Sequence, residues 1–161
     1  VDLVDLAQLE PHGPDTYVGV GPRYHWGGLY GGQIVAQGLV AAANTVDPAF
    51  RAHSLHAYFI RRGDPTQPVR YEVDRLRDGR SFATRAVVAR QSGGAILNMS
   101  ASFQVGEEAY DAQAAVMPWV HQPDDLVEEN WTEMYERKAV PFRHENRIQA
   151  WMRATGLGED P

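Results

Sequence analysis

The sequence predicts an α+β domain, and three observations predict it. A glycine-flanked loop, Gly27-Gly28-Leu29-Tyr30-Gly31-Gly32, opens a stretch whose apolar residues recur at helical spacing. Four extended segments follow, 52–61, 69–77, 81–91 and 95–105, separated by the turn sequences Gly63-Asp64-Pro65, Asp78-Gly79 and Ser92-Gly93-Gly94. The last segment alternates, with Ala95, Leu97, Met99, Ala101, Phe103 and Val105 on one face and Asn98, Ser100, Ser102 and Gln104 sharing the other with Ile96. A helix that buries one stripe against a hairpin-linked sheet is the expected layering.

In chain order, Val1 to Leu9 reads as a short amphipathic helix running into a first strand. Gly13-Pro14 supplies a turn, and Thr16 to Val20 has strand composition. The helix then starts Gln33-Ile34-Val35-Ala36-Gln37, with Val35, Leu39, Ala42 and Val46 as its apolar face. Gly38 in its middle costs about 1 kcal/mol relative to alanine, which a close backbone contact with a surrounding sheet would explain. Asn44 and Asp47-Pro48 end the helix. Residues 1–106 form the domain. Residues 107–140, acidic and carrying Pro118 and Pro123, read as an interdomain linker, and Arg147 to Met152 alternates like a further strand.

The 161 residues can hold one domain with a real core, and 43% hydrophobic content with 22% charge is that of a soluble globular chain. No apolar run reaches membrane-spanning length and no signal-peptide pattern opens the chain, so cytoplasmic residence with no membrane partner is expected. There is no cysteine, which excludes disulfides, a thiol nucleophile and thiolate-bound metal within these residues. His53 and His56, three apart on a strand, are expected on opposite faces, so no shared metal is expected. No G-x-S-x-G elbow, P-loop or dinucleotide fingerprint is present.

Net charge is −6 but uneven. Nine arginines lie between Arg51 and Arg90 against Asp64, Glu72, Asp74 and Asp78, whereas Gly106 to Glu136 holds nine acids and no Lys or Arg. The basic segment either coats the solvent side of the strands or meets a polyphosphate such as the nucleotide end of coenzyme A. Overall acidity argues against nucleic acid.

The glycine loop with Gln33-Ile34-Val35-Ala36-Gln37, the run His53-Ser54-Leu55-His56-Ala57-Tyr58-Phe59, the turn Arg77-Asp78-Gly79-Arg80-Ser81-Phe82 and the strand end Ser100-Ala101-Ser102-Phe103-Gln104 occur in one order. Together they resemble the first half of a type II acyl-CoA thioesterase of the TesB type. The resemblance implies a hot-dog fold, an antiparallel sheet wrapped around a central helix, as the N-terminal half of a double hot-dog. It makes 141–161 the first strand of an incomplete second hot-dog domain. It implies hydrolysis of fatty acyl-CoA to free acid and CoA by direct water attack, without metal or other cofactor. The catalytic Asp, Ser or Thr, and Gln of such enzymes lie in the second domain, so no catalytic residue is assigned here. A homo-oligomer or a second hot-dog domain is the implied partner. The alternative is a non-catalytic acyl-CoA-binding or assembly module.

For this half the resemblance brings forward Gly31, Gly32, Gln33, His56, Tyr58, Arg80, Ser81 and Phe82 as substrate-binding candidates. Gly31-Gly32-Gln33 would offer free helix N-terminal amides to a thioester carbonyl, or simply turn the chain. By repeat logic Gln33, Ser54 and Gln104 occupy places corresponding to the catalytic set. An amide at Gln33 cannot act as general base, but could hold a water or a pantetheine amide. Arg80 could reach a phosphate or bond a carboxylate inside the fold, with Phe82 in the core. His56 and Tyr58 share a strand face and either line a channel or, for His56, sit in the core.

Overall fold

The computed structural model describes residues 3–129, 135–140 and 150–154. Its larger compact unit, Asp5–Glu108, is a six-stranded antiparallel sheet carrying one long helix. After a short helix α1 (Leu3–Ala7) come β1 (Glu10–Pro11) and β2 (Thr16–Gly19), then helix α2 (Gly31–Ala43). Strands β3 (Phe50–Phe59), β4 (Val69–Asp78), β5 (Phe82–Gln91) and β6 (Gly94–Val105) complete it in the order β1-β2-β4-β5-β6-β3. The hairpins fall at the predicted turn sequences. Gly94, at φ 104°, needs glycine to join β5 to β6.

The core lies between α2 and one sheet face. Leu97, Met99, Ala101 and Phe103 of β6 point into it with Ala83, Val87 and Ala89 of β5 and Val69 and Tyr71 of β4. The predicted alternation of β6 is therefore the buried face, although Ile96 is buried as well. Gly38 faces the sheet, but the close neighbours are side chains and not the backbone expected: a Cβ there would stand 3.2 Å from Met99 Cε and 3.8 Å from Tyr71 Cδ1.

The buried face of α2 differs from the apolar stripe predicted. Gln33, Ile34, Gln37, Gly38, Ala41 and Ala42 are buried, whereas Val35, Leu39 and Val46 pack only partly against the core. The deepest line of the helix thus carries two glutamines. They are tolerated because each is hydrogen-bonded, as a buried polar group must be.

Strand β3 departs from strict alternation. The register against β6 shifts between Ala52 and Ser54, so His53 is an extra residue in a bulge. His53 Nε2 lies 2.9 Å from Ser102 Oγ, and its ring stands edge-on to Phe82 at 5.9 Å. Ser102 pairs with Ser54 and Ser100 with His56, so the bulge brings His53 and His56 to the same sheet face. Among the described residues no group of three His, Cys, Asp or Glu could hold a metal ion. No described helix is long and apolar enough to cross a membrane.

In the smaller unit, residues assigned to the linker form a strand: β7 (Tyr135–Ala139) pairs antiparallel with β8 (Ala150–Ala154). Glu129 Oε2 accepts from Arg137 Nη1 at 2.7 Å, and Trp151 Nε1 donates to His121 O at 2.7 Å. The predicted strand at Arg147–Met152 is described only from Ala150 onward. Residues 141–149 and 155–161, which complete the expected opening of a second domain, lie outside the described residues.

Candidate functional site

The N-terminus of α2 positions the site. Tyr30 caps it in extended conformation without a side-chain hydrogen bond, and the first helical bond runs from Ile34 N to Tyr30 O at 3.3 Å. The amides of Gly31, Gly32 and Gln33 precede that bond and have no acceptor within the helix. Gly31 sits against the ring of Phe59 at the end of β3, where a Cβ would meet Phe59 Cε1 at 3.0 Å. This helix end opens on a cleft of about 480 Å³ lined by Leu29, Gly31, Ile34, Phe59, Ile60, Arg61, Arg62 and Gly63. One wall is aliphatic and aromatic, and two arginines stand at its rim. Such a surface suits a ligand with an apolar tail and an anionic head.

Behind the helix end runs a buried polar chain. Tyr24 Oη donates to Gln33 Oε1 at 2.9 Å, Gln33 Nε2 reaches Gln37 Oε1 at 3.5 Å, and Tyr71 Oη donates to the same Gln37 Oε1 at 2.8 Å. Gln37 Nε2 then donates to Leu6 O and Val20 O, both at 2.9 Å. Burial pushes the Tyr71 phenol well above its ordinary range. Gly19 and Gly21 leave room for the glutamines: a Cβ at Gly19 would stand 2.9 Å from Gln37 Cδ, and one at Gly21 would overlap the Gln33 amide.

The eight candidates fall in three places. Gly31 lines the cleft, with Gly32 beside it. Gln33 follows them in sequence, but its side chain is only 1% exposed and occupied by Tyr24 and Gln37. His56 and Tyr58 stack on each other, ring centroids 4.5 Å apart, on the sheet face away from α2, and both are exposed. That arrangement differs from the core placement considered for His56. Arg80, Ser81 and Phe82 form the β4–β5 turn, closed by Gly79 N to Phe82 O at 2.8 Å. Phe82, paired with Gln104, marks the opposite end of the sheet from Phe59, which pairs with Leu97. Gln104 and Leu97 are seven residues apart on β6, which at about 3.3 Å per residue separates the turn from the cleft by roughly 23 Å. Arg80 is exposed, and so is Phe82, which stands outside the core.

The buried arginine of this region is Arg85, one of the nine in the segment expected either to coat the solvent side of the strands or to meet a polyphosphate. Its side chain is 1% exposed and pairs with Asp78. Nε donates to Thr45 Oγ1 at 2.7 Å, Nη1 to Arg77 O at 2.8 Å and Nη2 to Thr45 O at 3.0 Å. One guanidinium therefore ties the exit of α2 to the β4–β5 turn. The signal was available: Arg85 has the same parity as Ala83, Val87 and Ala89, all buried.

A single helix on one face of an antiparallel sheet, entered through a glycine turn, defines the hot-dog fold. A hot-dog protein from Alicyclobacillus acidocaldarius superposes with a TM-score of 0.78 at 22% identity, over 94% of this chain and 61% of that one. The family follows from residues 21–104, which match the acyl-CoA thioesterase N-terminal domain, and the chain belongs to that family. Acyl-coenzyme A thioesterase 8 of Mus musculus is 44% identical over 130 residues, covering 78% of this chain and 40% of the relative. Acyl-CoA thioesterase 2 of Haemophilus influenzae is 37% identical over 129 residues, covering 80% and 45%. The crystal structure of the acyl-CoA thioesterase II TesB2 from Mycobacterium marinum superposes with a TM-score of 0.81 at 35% identity, over 98% of this chain and 61% of that one. The chain thus spans less than half the length of these curated relatives.

Proposed function

We propose that the protein containing this chain hydrolyses acyl-CoA thioesters: water adds to the thioester carbonyl, the C–S bond breaks, and free acid and CoA thiol leave. The observation that carries this reading is the family match over residues 21–104, centred on a glycine-entered helix whose free amides face a mixed apolar and cationic cleft. In this reading the amides of Gly31 and Gly32 stabilise the oxyanion, which fixed donors do most effectively in a site shielded from water. Among the described residues no carboxylate lines the cleft, so the water-activating acid is expected in a second hot-dog domain. The same absence favours a second reading for residues 1–161 by themselves, a non-catalytic acyl-CoA-binding or assembly module.

The proposed setting is fatty acid metabolism in the cytoplasm. Strand β3 forms an edge of the sheet with Leu55, Tyr58 and Phe59 exposed, which suits pairing with a second hot-dog domain or a second copy. The test is thiol release from acyl-CoAs of graded chain length, in the intact natural protein and in residues 1–161. Turnover by the intact protein with binding alone by residues 1–161 is the expected outcome. An intact protein that releases no CoA from any acyl-CoA would end the thioesterase reading.

A further inference from the structure

The approach to the cleft carries a cluster that the hydrolytic chemistry leaves unused. The rings of Tyr24 and Trp26 stack 4.5 Å apart at 12°, and Tyr30 stands 6.2 Å from Trp26 at 65°. Tyr24 is buried and anchored on Gln33, whereas Trp26 and Tyr30 are 39% and 50% exposed. Arg62 lies across Gly28, where a Cβ would press on its guanidinium, and donates to Trp26 O. Arg61 donates to Gly93 O. A guanidinium has five N–H donors, so each arginine is oriented by one carbonyl and keeps donors for a ligand. Hydrogen bonds from Thr66 chiefly hold the Asp64 carboxyl below its ordinary range, and Arg23 contributes to that lowering. Asp64 itself is turned to Thr66 and Gln67, away from the role of counter-ion to the two rim arginines.

We propose that Trp26, Tyr30, Arg61 and Arg62 form the seat for the nucleotide end of coenzyme A. Its adenine stacks on the Trp26–Tyr30 surface and its phosphates meet the two guanidinium groups. Stacking on an aromatic face needs no hydrogen-bond readout, and arginine forks match phosphate oxygens. The pantetheine arm then runs along the cleft toward Gly31. This inference rests on acyl-CoA as the ligand and locates the half of it that carries no reacting atom.

The experiment titrates the intact protein with two non-hydrolysable thioethers bearing the same acyl chain, one of CoA and one of pantetheine. The wild type is expected to bind the CoA ligand at least about tenfold more tightly, in the range of base–aromatic stacking energies. That ratio should fall toward one in Tyr30→Leu and in the double variant Arg61→Gln/Arg62→Gln. Trp26→Leu is expected to do the same; because Trp26 and Tyr30 both touch Tyr24, the arginine double variant, which leaves all three rings in place, guards against an effect through Tyr24. Circular dichroism confirms that each variant is folded. Binding of the CoA ligand, but not of the pantetheine ligand, should weaken as salt is raised. Equal affinity of the wild type for both ligands, binding of neither, or variants that weaken both alike would overturn the seat. Hydrolysis of acyl-CoA and acyl-pantetheine at equal kcat/KM would overturn it while leaving the thioesterase reading standing. Trp26-dependent CoA binding without hydrolysis would do the reverse.

Discussion

Gly21 and Gln33 compete for one volume: a Cβ on Gly21 would occupy the place of the Gln33 side-chain amide. Gly21→Ala is therefore expected to displace Gln33 and break its bond from Tyr24 Oη. Overpacking of a filled site typically costs about 1–3 kcal/mol. Urea unfolding should show a lower midpoint with unchanged slope, and Gly21→Ala/Gln33→Ala should recover part of the loss.

Tyr71→Phe leaves Gln37 Oε1 with only the long contact from Gln33 Nε2. Under-satisfying a buried acceptor costs about 1–3 kcal/mol. The pH dependence has the opposite benefit. The folded Tyr71 pKa is raised above that of the unfolded chain, so its protonated form contributes stability below about pH 10 that is lost as pH rises further. The variant should be less stable near neutrality yet decline less steeply above pH 10, as thermal unfolding across that range would show.

Arg85→Ala removes a buried guanidinium and strands Thr45 O and Arg77 O without their donors. A loss of about 3 kcal/mol or more is expected, at the lower end of values for broken buried pairs because Asp78 remains in solvent contact. Arg80→Ala, one turn away and exposed, should change stability by less than about 0.5 kcal/mol. Comparing the two melts separates the arginine that builds the turn from the one that only decorates it.

Asp15 sits in a turn at φ 47° and accepts from Arg75 Nε and Nη2, both at 2.8 Å. The Arg75 hydrogen bond, more than its charge, holds the Asp15 carboxyl below its ordinary range. A depressed folded pKa gives stability that is present above the unfolded value and lost as pH falls through the folded one. Asp15→Ala should cost up to about 1 kcal/mol at pH 7, as surface pairs do. The difference from wild type should shrink progressively as pH falls below the ordinary aspartate range and through the depressed folded value, in parallel melts.

The strands and the glycine-entered helix were legible because their boundaries are written in turn residues whose geometry is local. Gly79 and Gly94 do the same work in any context that closes a hairpin there. The face of α2 was not legible, since a stripe count scores Val35 and Leu39 as core and passes over Gln33 and Gln37. Those two are buried only because Tyr24 and Tyr71, distant in sequence, supply their partners. The parity of His53 and His56 failed for a different reason. Strict alternation assumes no insertion, and one bulged residue reverses every side chain beyond it. The candidate residues were found singly, but their separation into cleft, outer face and far turn follows from strand register, which no local pattern carries.

The buried glutamines also fix a degree of freedom that greasy packing leaves loose. Ile34, Gly38, Ala41 and Ala42 present a nearly smooth surface to the sheet, along which a helix could slide or roll at little expense. Gln33 and Gln37 act as index pins, each engaging a fixed phenol at one setting of the helix. A shift by one residue along its axis would disengage both. The amide of Gly31 is thereby held at a set depth beneath Phe59 and that of Gly32 beside the Tyr30 ring, so the alignment of the helix mouth is governed from behind, by groups that no substrate touches.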